Sequence, residues 1–267
     1  MPEKTNYGAK RALARAPAWS LPPDQLALAA NDVHVWLVSL NRPVATVTRF
    51  RQHLSPAELA RVERFHFEID RRRFIVARGC LRAILARYLE ISPAIIQFTY
   101  DDYGKPGLAS VTLPSSQLKF NLAHSDDLAV YAFTLIGEVG VDLERIRPDF
   151  DGDEVARRLF SPSEVARLDQ FSGAARQQAF FRCWTRKEAF IKAKRLGLSI
   201  ALDQFDVTLA ADEQATLLRT RWDESEAARW SLREIDLGPD YAAAVAIEAE
   251  DWKLSRWCFD DAAWAAM

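Results

Sequence analysis

The hydrophobic and polar positions of the chain form two successive series of similar order. Residues 33–39 and 139–145 have the apolar pattern of β-strands, and each is followed by a short helix and a long one. The long helices lie at 70–90 and around 183–199. Further strand patterns then follow at 95–100, 118–122 and 128–135, and at 205–209, 216–222, 230–235 and 241–248. Consecutive strands after helices predict an α+β fold with a mostly antiparallel sheet in each half.

The two series are related by a constant offset of 106 residues. "LSPAELARV" at 54–62 resembles "FSPSEVARL" at 160–168, and the same offset places 33–39 on 139–145. In both short helices a serine can cap the helix, a proline fits the first turn, and a glutamate completes a capping box. Chance similarity in an Ala- and Leu-rich chain is the alternative. The repeat predicts two pseudo-duplicated halves, 31–137 and 138–267, each packed with a long helix, after an N-terminal extension over residues 1–30.

Composition excludes several classes of protein. The 267 residues are 49% apolar and 27% charged, as in ordinary globular proteins. Lys and Arg number 35 against 37 Asp and Glu, so the bulk charge of −2 indicates neither a nucleic-acid nor a membrane partner. Three widely spaced cysteines argue against a disulfide framework or a zinc site. We therefore expect a cytoplasmic protein, and a monomer because its two halves already face each other.

The halves differ in their acidic residues. Asp142 and Glu144 are two apart in a predicted strand, so both carboxylates lie on one face. Glu188 lies four residues before Lys192 on the second long helix. The first-half counterparts of the three acids are Trp36, Val38 and Arg82. Residues that the fold requires should occur in both halves, whereas residues required for chemistry need occur in only one.

Two interpretations of these acids remain open at this point. Asp142 and Glu144 could belong to a solvated sheet face or pair with Arg145 or Arg147, and Glu188 with Lys192 could be a surface ion pair. Alternatively, the three carboxylates could bind Mg2+, a hard cation that prefers oxygen ligands and often bridges carboxylates to substrate phosphates.

Arginines crowd the first half of the helix at 70–90. Arg71, Arg72, Arg73 and Arg78 could form a solvated basic face, but cations in the first turns oppose the helix dipole. Their concentration there suggests a bound anion, because Arg makes forked contacts with phosphate. The sequence has no Walker A loop and no GxGxxG motif.

Together these segments resemble the Sfp-type 4'-phosphopantetheinyl transferases, in particular those of cyanobacterial heterocyst gene clusters. The resemblance covers roughly residues 33–210. The matching motifs are "YGKP" (103–106), "FNLAHS" (120–125), "GVDLE" (140–144), "FSPSE" (160–164) and "WTRKEAFIKAKRLGLS" (184–199). The resemblance implies Mg2+-dependent transfer of 4'-phosphopantetheine from coenzyme A to a serine of an apo carrier protein, with release of 3',5'-ADP.

The family pattern also implies residue roles. Asp142, Glu144 and Glu188 would bind Mg2+, with Glu188 as base for the serine hydroxyl and Lys192 stabilising the leaving phosphate. Coenzyme A would be bound in a pocket between the halves. Arg73, with Arg61 or Arg78, would contact the 3'-phosphate, Lys105 and Pro106 the adenine, and His124 a phosphate.

The sequence departs from the family pattern at two positions, and it leaves two other functions open. Ala123 stands where the family often has serine, and Glu58 where some relatives carry a lysine. A non-catalytic module that binds coenzyme A or a carrier protein is one alternative function, and a Mg2+-dependent hydrolase of the coenzyme A pyrophosphate is another.

Overall fold

The two halves have the same order of secondary structure. A computed structural model describes residues 19–110, 117–195 and 199–260. The first half contains β1 (Asp32–Ser39), α1 (Val44–Arg51), α2 (Pro56–Glu63), α3 (Glu68–Leu89), β2 (Phe98–Tyr100), β3 (Pro106–Leu108), β4 (Lys119–Ser125) and β5 (Leu128–Thr134). The second contains β6 (Val139–Arg145), α4 (Asp153–Leu159), α5 (Pro162–Leu168), α6 (Gly173–Lys194), β7 (Phe205–Val207), β8 (Leu217–Thr220), β9 (Ser231–Glu234) and β10 (Tyr241–Ile247). A last strand, β11 (Lys253–Cys258), follows.

The sheets confirm the predicted α+β class. In the first half the strand order is β11-β1-β5-β4, and in the second it is β6-β10-β9. The pairs β1–β5 and β5–β4 are antiparallel, as are β6–β10 and β10–β9. Only the terminal pair β1–β11 of these sheets is parallel. The described helices include none that is long and apolar enough to cross a membrane.

The core has three apolar clusters arranged as layers. One lies between α3 and the first sheet, and another between α6 and the second sheet. The third lies between the two sheets, where alternate residues of β1 and β6, such as Val35 and Val141, are fully buried. This order of helix, sheet, sheet and helix brings β4 of one half against β6 of the other, where Asn121 accepts a hydrogen bond from the Val141 amide at 2.8 Å.

Both predicted capping boxes are present. Ser55 and Ser161 each accept a hydrogen bond from the amide of the glutamate three residues on, and that glutamate binds the serine amide in return. Each glutamate also holds a buried cation of the long helix: Glu58 pairs with Arg82 and Glu164 with Lys187, both at 2.8 Å. Each cation further donates to two backbone carbonyls, those of Pro93 and Ile96 in the first half and Leu202 and Phe205 in the second. The structural network is thus duplicated with the fold.

The chain termini depart from a simple division into two halves. Strand β11, near the C-terminus, pairs with β1 of the first half. Residues 19–30, which we assigned to an extension, contact the domain: Trp19 Nε1 donates to the Asp236 carbonyl, and Leu26 and Leu28 pack on the first core cluster. The predicted boundaries at residues 30 and 137 remain predictions, and residues 1–18 lie outside the described part of the chain.

Candidate active site between the two halves

The predicted site residues surround a cleft where the two halves meet. Two adjoining cavities, of about 600 and 310 Å³, share the lining residues Gly104, Pro106 and Leu122. The larger cavity is lined mainly by the first half and includes Arg61, Arg73, Arg78 and His124. The smaller is lined from both halves and includes Lys105, Glu188 and Lys192. Asp142 and Glu144 lie beside it, in contact with residues that line the cleft.

Strand β6 presents its two carboxylates to helix α6, as its alternation predicts. Val141 and Leu143 point into the apolar cluster between the sheets. Asp142, on the other face, is only 4% exposed and accepts a hydrogen bond from Lys192 Nζ at 2.5 Å. Glu144 accepts one from the Ser125 hydroxyl at 3.1 Å, which links it to the first half. The surface pair Glu188–Lys192 considered from the sequence is replaced by this contact between Lys192 and Asp142.

Gly140 permits the close approach of β6 to α6. A Cβ atom at this position would lie 2.0 Å from the Ala189 carbonyl oxygen and 2.4 Å from the Ala193 amide nitrogen. These are backbone atoms, so a side chain could be accommodated only by moving the strand or the helix. The glycine therefore sets the distance between the two elements that carry Asp142, Glu188 and Lys192.

The cluster of carboxylates carries excess negative charge. Burial raises the pKa of Glu188, and the charges of Asp142 and Glu144 raise it further. Burial and Asp142 likewise raise the pKa of Glu144, against the hydrogen bond from Ser125. For Lys192, burial acts to lower the pKa, but the surrounding carboxylates, Asp142 first, raise it overall. The single ammonium group does not neutralise three acids, which favours binding of a further cation.

The carboxylate oxygens of Asp142, Glu144 and Glu188 are suitable ligands for a hard divalent cation, but they do not converge on one position. Asp142 Oδ2 is buried and has no hydrogen-bond partner. A buried carboxylate oxygen without a partner is costly, and a cation would satisfy it. Within the described ranges, however, no three His, Cys, Asp or Glu side chains are arranged to hold a metal ion. Lys192 occupies the other oxygen of Asp142, so the side chains must rearrange to bind a metal.

The larger cavity has a cationic wall. Arg73 donates to Asp127 Oδ1 from Nε and Nη2, at 3.1 and 2.9 Å. Arg61 lies over the Phe74 ring. The His124 ring is exposed in the open cleft, yet desolvation by the cleft walls lowers its pKa, and the charges of Lys192, Arg73 and Arg61 lower it further. Arg61 and Arg73 line this cavity together with Asp70 and Asp126, and the two guanidinium groups suit a phosphate group.

Comparison with known proteins identifies the family. The model of the 4'-phosphopantetheinyl transferase superfamily matches residues 138–246, and that of the 4'-phosphopantetheinyl transferase N-terminal region matches residues 43–135. The chain is 37% identical to the 4'-phosphopantetheinyl transferase HetI of Nostoc sp., over 90% of this chain and 97% of that protein. The chain belongs to the 4'-phosphopantetheinyl transferase superfamily.

Other members are similar over most of their length. A putative 4'-phosphopantetheinyl transferase of Synechocystis sp. is 33% identical over 85% of this chain and 87% of that protein. The 4'-phosphopantetheinyl transferase Sfp of Bacillus subtilis is 29% identical over 68% of this chain and 80% of that protein. The resemblance inferred from the motifs is thus confirmed.

The arginine run of this transferase is not a single anion site, contrary to our expectation. Arg71 Nε donates to the Phe65 carbonyl at 3.0 Å, and Arg72 Nη2 donates to the Arg42 carbonyl at 2.8 Å. Both bind the backbone that precedes the helix, and only Arg73 of the three lines the cavity. Arg78 also lines it, but is 8% exposed and pairs with Glu58 at 3.4 Å.

The two departures from the family pattern have structural explanations. Glu58 is 5% exposed, and its Oε2 accepts hydrogen bonds from the Ser55 amide in the capping box and from Arg82. Ala123 is 5% exposed and packs in the apolar cluster between the sheets. A serine in its place would therefore face that cluster rather than the cleft.

Sequence reasoning missed three features of the site. No role was predicted for Gly140, although a glycine two residues before the acid is a signal of close backbone approach. No role was predicted for Ser125, whose hydroxyl donates to Glu144. The contact of Lys105 with adenine stays a prediction, and no role was predicted for its Nζ, which donates to the carbonyls of Val139 at 3.1 Å and Lys192 at 2.7 Å.

Proposed function

We propose that this protein transfers 4'-phosphopantetheine from coenzyme A to a serine of an apo carrier protein, releasing 3',5'-ADP. The proposal depends chiefly on one observation: a cation-lined cavity opens onto a cluster of three carboxylates and a lysine at the junction of the two halves. Such a cleft suits a substrate with a phosphorylated nucleotide at one end and a pyrophosphate at the other.

The cationic wall would bind the nucleotide end of coenzyme A. Arg73 and Arg61 face the larger cavity and would contact the 3'-phosphate, with Arg78 as a partly occupied third cation. Pro106, in the wall shared by both cavities, would pack against adenine. His124 would donate to a phosphate, and its position between three positive charges suits an anion.

Asp142, Glu144 and Glu188 would hold Mg2+ against the pyrophosphate. The bound ion would neutralise charge on the phosphate oxygens, which is the main requirement of phosphoryl transfer. The unpartnered oxygen of Asp142 and the raised pKa values of the two glutamates support this assignment.

The transfer step itself would use Glu188 and Lys192. The serine oxygen of the carrier forms a bond to the phosphorus that bears pantetheine, and the bond from that phosphorus to the 3',5'-ADP oxygen breaks. Glu188, the carboxylate of α6 beside the metal, takes the serine proton as general base. Lys192, whose ammonium is stabilised by the carboxylates around it, offsets the charge that develops on the departing phosphate.

We further propose that the protein acts as a cytoplasmic monomer. The internal duplication already supplies both walls of the cleft, so a second chain is not required to complete it.

Intact-mass measurement of a carrier protein tests the function. Incubation with coenzyme A and Mg2+ should add one phosphopantetheine arm to an apo carrier, and Glu188→Gln should abolish the addition. Glu248→Gln, an exposed acid at the end of β10, is the matched control and should retain full activity. Loss of coenzyme A without any carrier modification would instead indicate a pyrophosphate hydrolase, and binding without turnover would indicate a non-catalytic module.

A further inference from the structure

Lys105 connects the tip of a first-half hairpin to both elements that carry the carboxylate cluster. Its Nζ donates to the carbonyl of Val139, the first residue of β6, and to that of Lys192, in the last turn of α6. Asp142 lies three residues further along β6, and the side chain of Lys192 binds it. One ammonium group from the opposite half therefore holds the backbone on both sides of the Asp142–Lys192 contact.

The hairpin tip is built to present this lysine rigidly. Asp101 Oδ1 accepts hydrogen bonds from the amides of Tyr103 at 3.1 Å and Lys105 at 2.8 Å. The Asp101 amide donates to the Lys105 carbonyl, and Gly104, with φ of +79°, closes the turn. Such side-chain bonds to the local backbone fix the turn. The turn therefore holds Nζ at a fixed position against the second half.

The partner carbonyl at the end of α6 is one that the helix cannot satisfy alone. The last four carbonyls of an α-helix lack intrahelical partners, and α6 ends at Lys194. A lysine near a helix C-terminus satisfies such a carbonyl and interacts favourably with the negative end of the helix dipole. Lys105 supplies this cap from the other half of the molecule.

Little of the ammonium group remains for a ligand. It has three N–H donors, and two are directed at carbonyls. Burial lowers the Lys105 pKa to about 8, partly offset by Glu138, so the group is largely charged at neutral pH and retains all three donors. Desolvation of this charge has a cost that the two carbonyl contacts offset.

We propose that Lys105 is a positioning residue that clamps the first-half hairpin to the end of α6 and thereby sets the geometry of the carboxylate cluster. This inference rests on the proposed transfer function for its kinetic effect only. Because the clamp acts on the backbone, it also has a structural effect that can be measured without turnover.

Lys105→Met, which keeps an unbranched side chain of similar bulk but removes the ammonium donors, tests the proposal. We expect kcat to fall by about 100-fold, since a displacement of about 1 Å can have that effect. The Kd for 3',5'-ADP should change by less than about threefold, because the substitution removes no charged contact with this ligand. Hydrogen exchange of peptides covering 139–145 and 188–195 should become faster.

Two further variants complete the design. Lys119 also links the halves, through a partly exposed ion pair with Glu138 at 3.0 Å, so Lys119→Met is the matched control and should leave kcat and exchange unchanged. Lys105→Arg keeps the charge and the donors, so it should restore slow exchange if Lys105→Met destabilises the fold.

Hydrogen exchange separates failure of the clamp from failure of the proposed function. If the wild-type protein transfers nothing, faster exchange in Lys105→Met still supports the clamp. Unchanged exchange in that variant overturns it, and so does a tenfold weaker Kd for 3',5'-ADP with unchanged exchange, which would make Lys105 a ligand contact.

Discussion

Replacing Gly140 by alanine tests how closely β6 and α6 must approach for the site to work. The added Cβ would lie 2.0 Å from the Ala189 carbonyl oxygen, whereas ordinary contacts begin at 3.4 Å, so strand and helix must separate by about 1.4 Å. The Asp142–Lys192 hydrogen bond would then lengthen from 2.5 Å to about 3.9 Å, beyond hydrogen-bonding range. Overpacking of this kind destabilises proteins by about 1–3 kcal/mol, and misplacement by about 1 Å can slow catalysis about 100-fold.

Two measurements follow these effects separately. Urea unfolding gives the loss of stability, and the intact mass of a carrier protein over time gives the transfer rate at a urea-free condition where the variant is folded. Gly107→Ala is the control, because the nearest atom to its added Cβ is Thr99 Oγ1 at 3.4 Å. If Gly140→Ala matched the control in both measurements, the close approach would have no role in the site and the reasoning would be refuted.

Three further substitutions have directions that the structure fixes. Lys187→Met leaves a buried glutamate without its cation and should lower the free energy of unfolding by about 3–5 kcal/mol, whereas Arg51→Met breaks an exposed pair and should cost less than about 1 kcal/mol in the same urea titration. Burial lowers the pKa of His34 below its usual 6.5, although Asp32 raises it, so the unfolded chain binds more protons and stability should fall as pH drops below 6.5. Thermal unfolding should show that the unfolding temperature falls less between pH 7.5 and pH 5.5 in His34→Gln than in the wild type. An equal fall in both proteins would contradict a role of His34 in the pH dependence. Arg73→Met should weaken coenzyme A about tenfold or more by calorimetry but leave the affinity for dephospho-coenzyme A unchanged, and equal weakening of both would exclude a contact with the 3'-phosphate.

Local signals in the sequence predicted much of the fold. The Ser-Pro-x-Glu segments became capped helices because every contact they need lies within four residues. The alternation of β6 placed Asp142 and Glu144 on one face, since strand geometry alone determines it. Helices α1 and α4 and strands β3 and β11 were not predicted. The pairing of β11 with β1 joins residues more than 200 positions apart, and such a contact leaves no local pattern.

The sequence predicted which residues approach the site better than what they contact there. Arg73 and Arg71 are two residues apart on one helix, yet one lines the cavity and the other binds the Phe65 carbonyl. The helix dipole argument applied to both equally. Which guanidinium lines the cavity depends on the path of the backbone that precedes the helix, and tertiary packing sets that path.

Residues of the two halves correspond better by the contacts they make than by their positions in the internal repeat. At an offset of 106 residues, Arg82 of the first half falls on Glu188 of the second. In the structure Arg82 instead has the role of Lys187, one residue earlier, since both neutralise a buried capping-box glutamate. The first half, which lacks the three acids, therefore contains the same buried structural cation as the second half.

The contact between β1 and α3 in the first half differs from the contact between β6 and α6 in the second, where the carboxylate cluster lies. His34 occupies the position of Gly140, and its ring binds the Tyr88 hydroxyl of α3 at 2.8 Å. Trp36, at the position of Asp142, donates to the same hydroxyl and is 1% exposed. Large side chains thus fill the space between strand and helix in the first half. In the second half the glycine removes that filling, the helix moves in, and the carboxylates of β6 come within reach of Lys192. Acidic residues placed in the first half without a glycine at position 34 should therefore not create a second site.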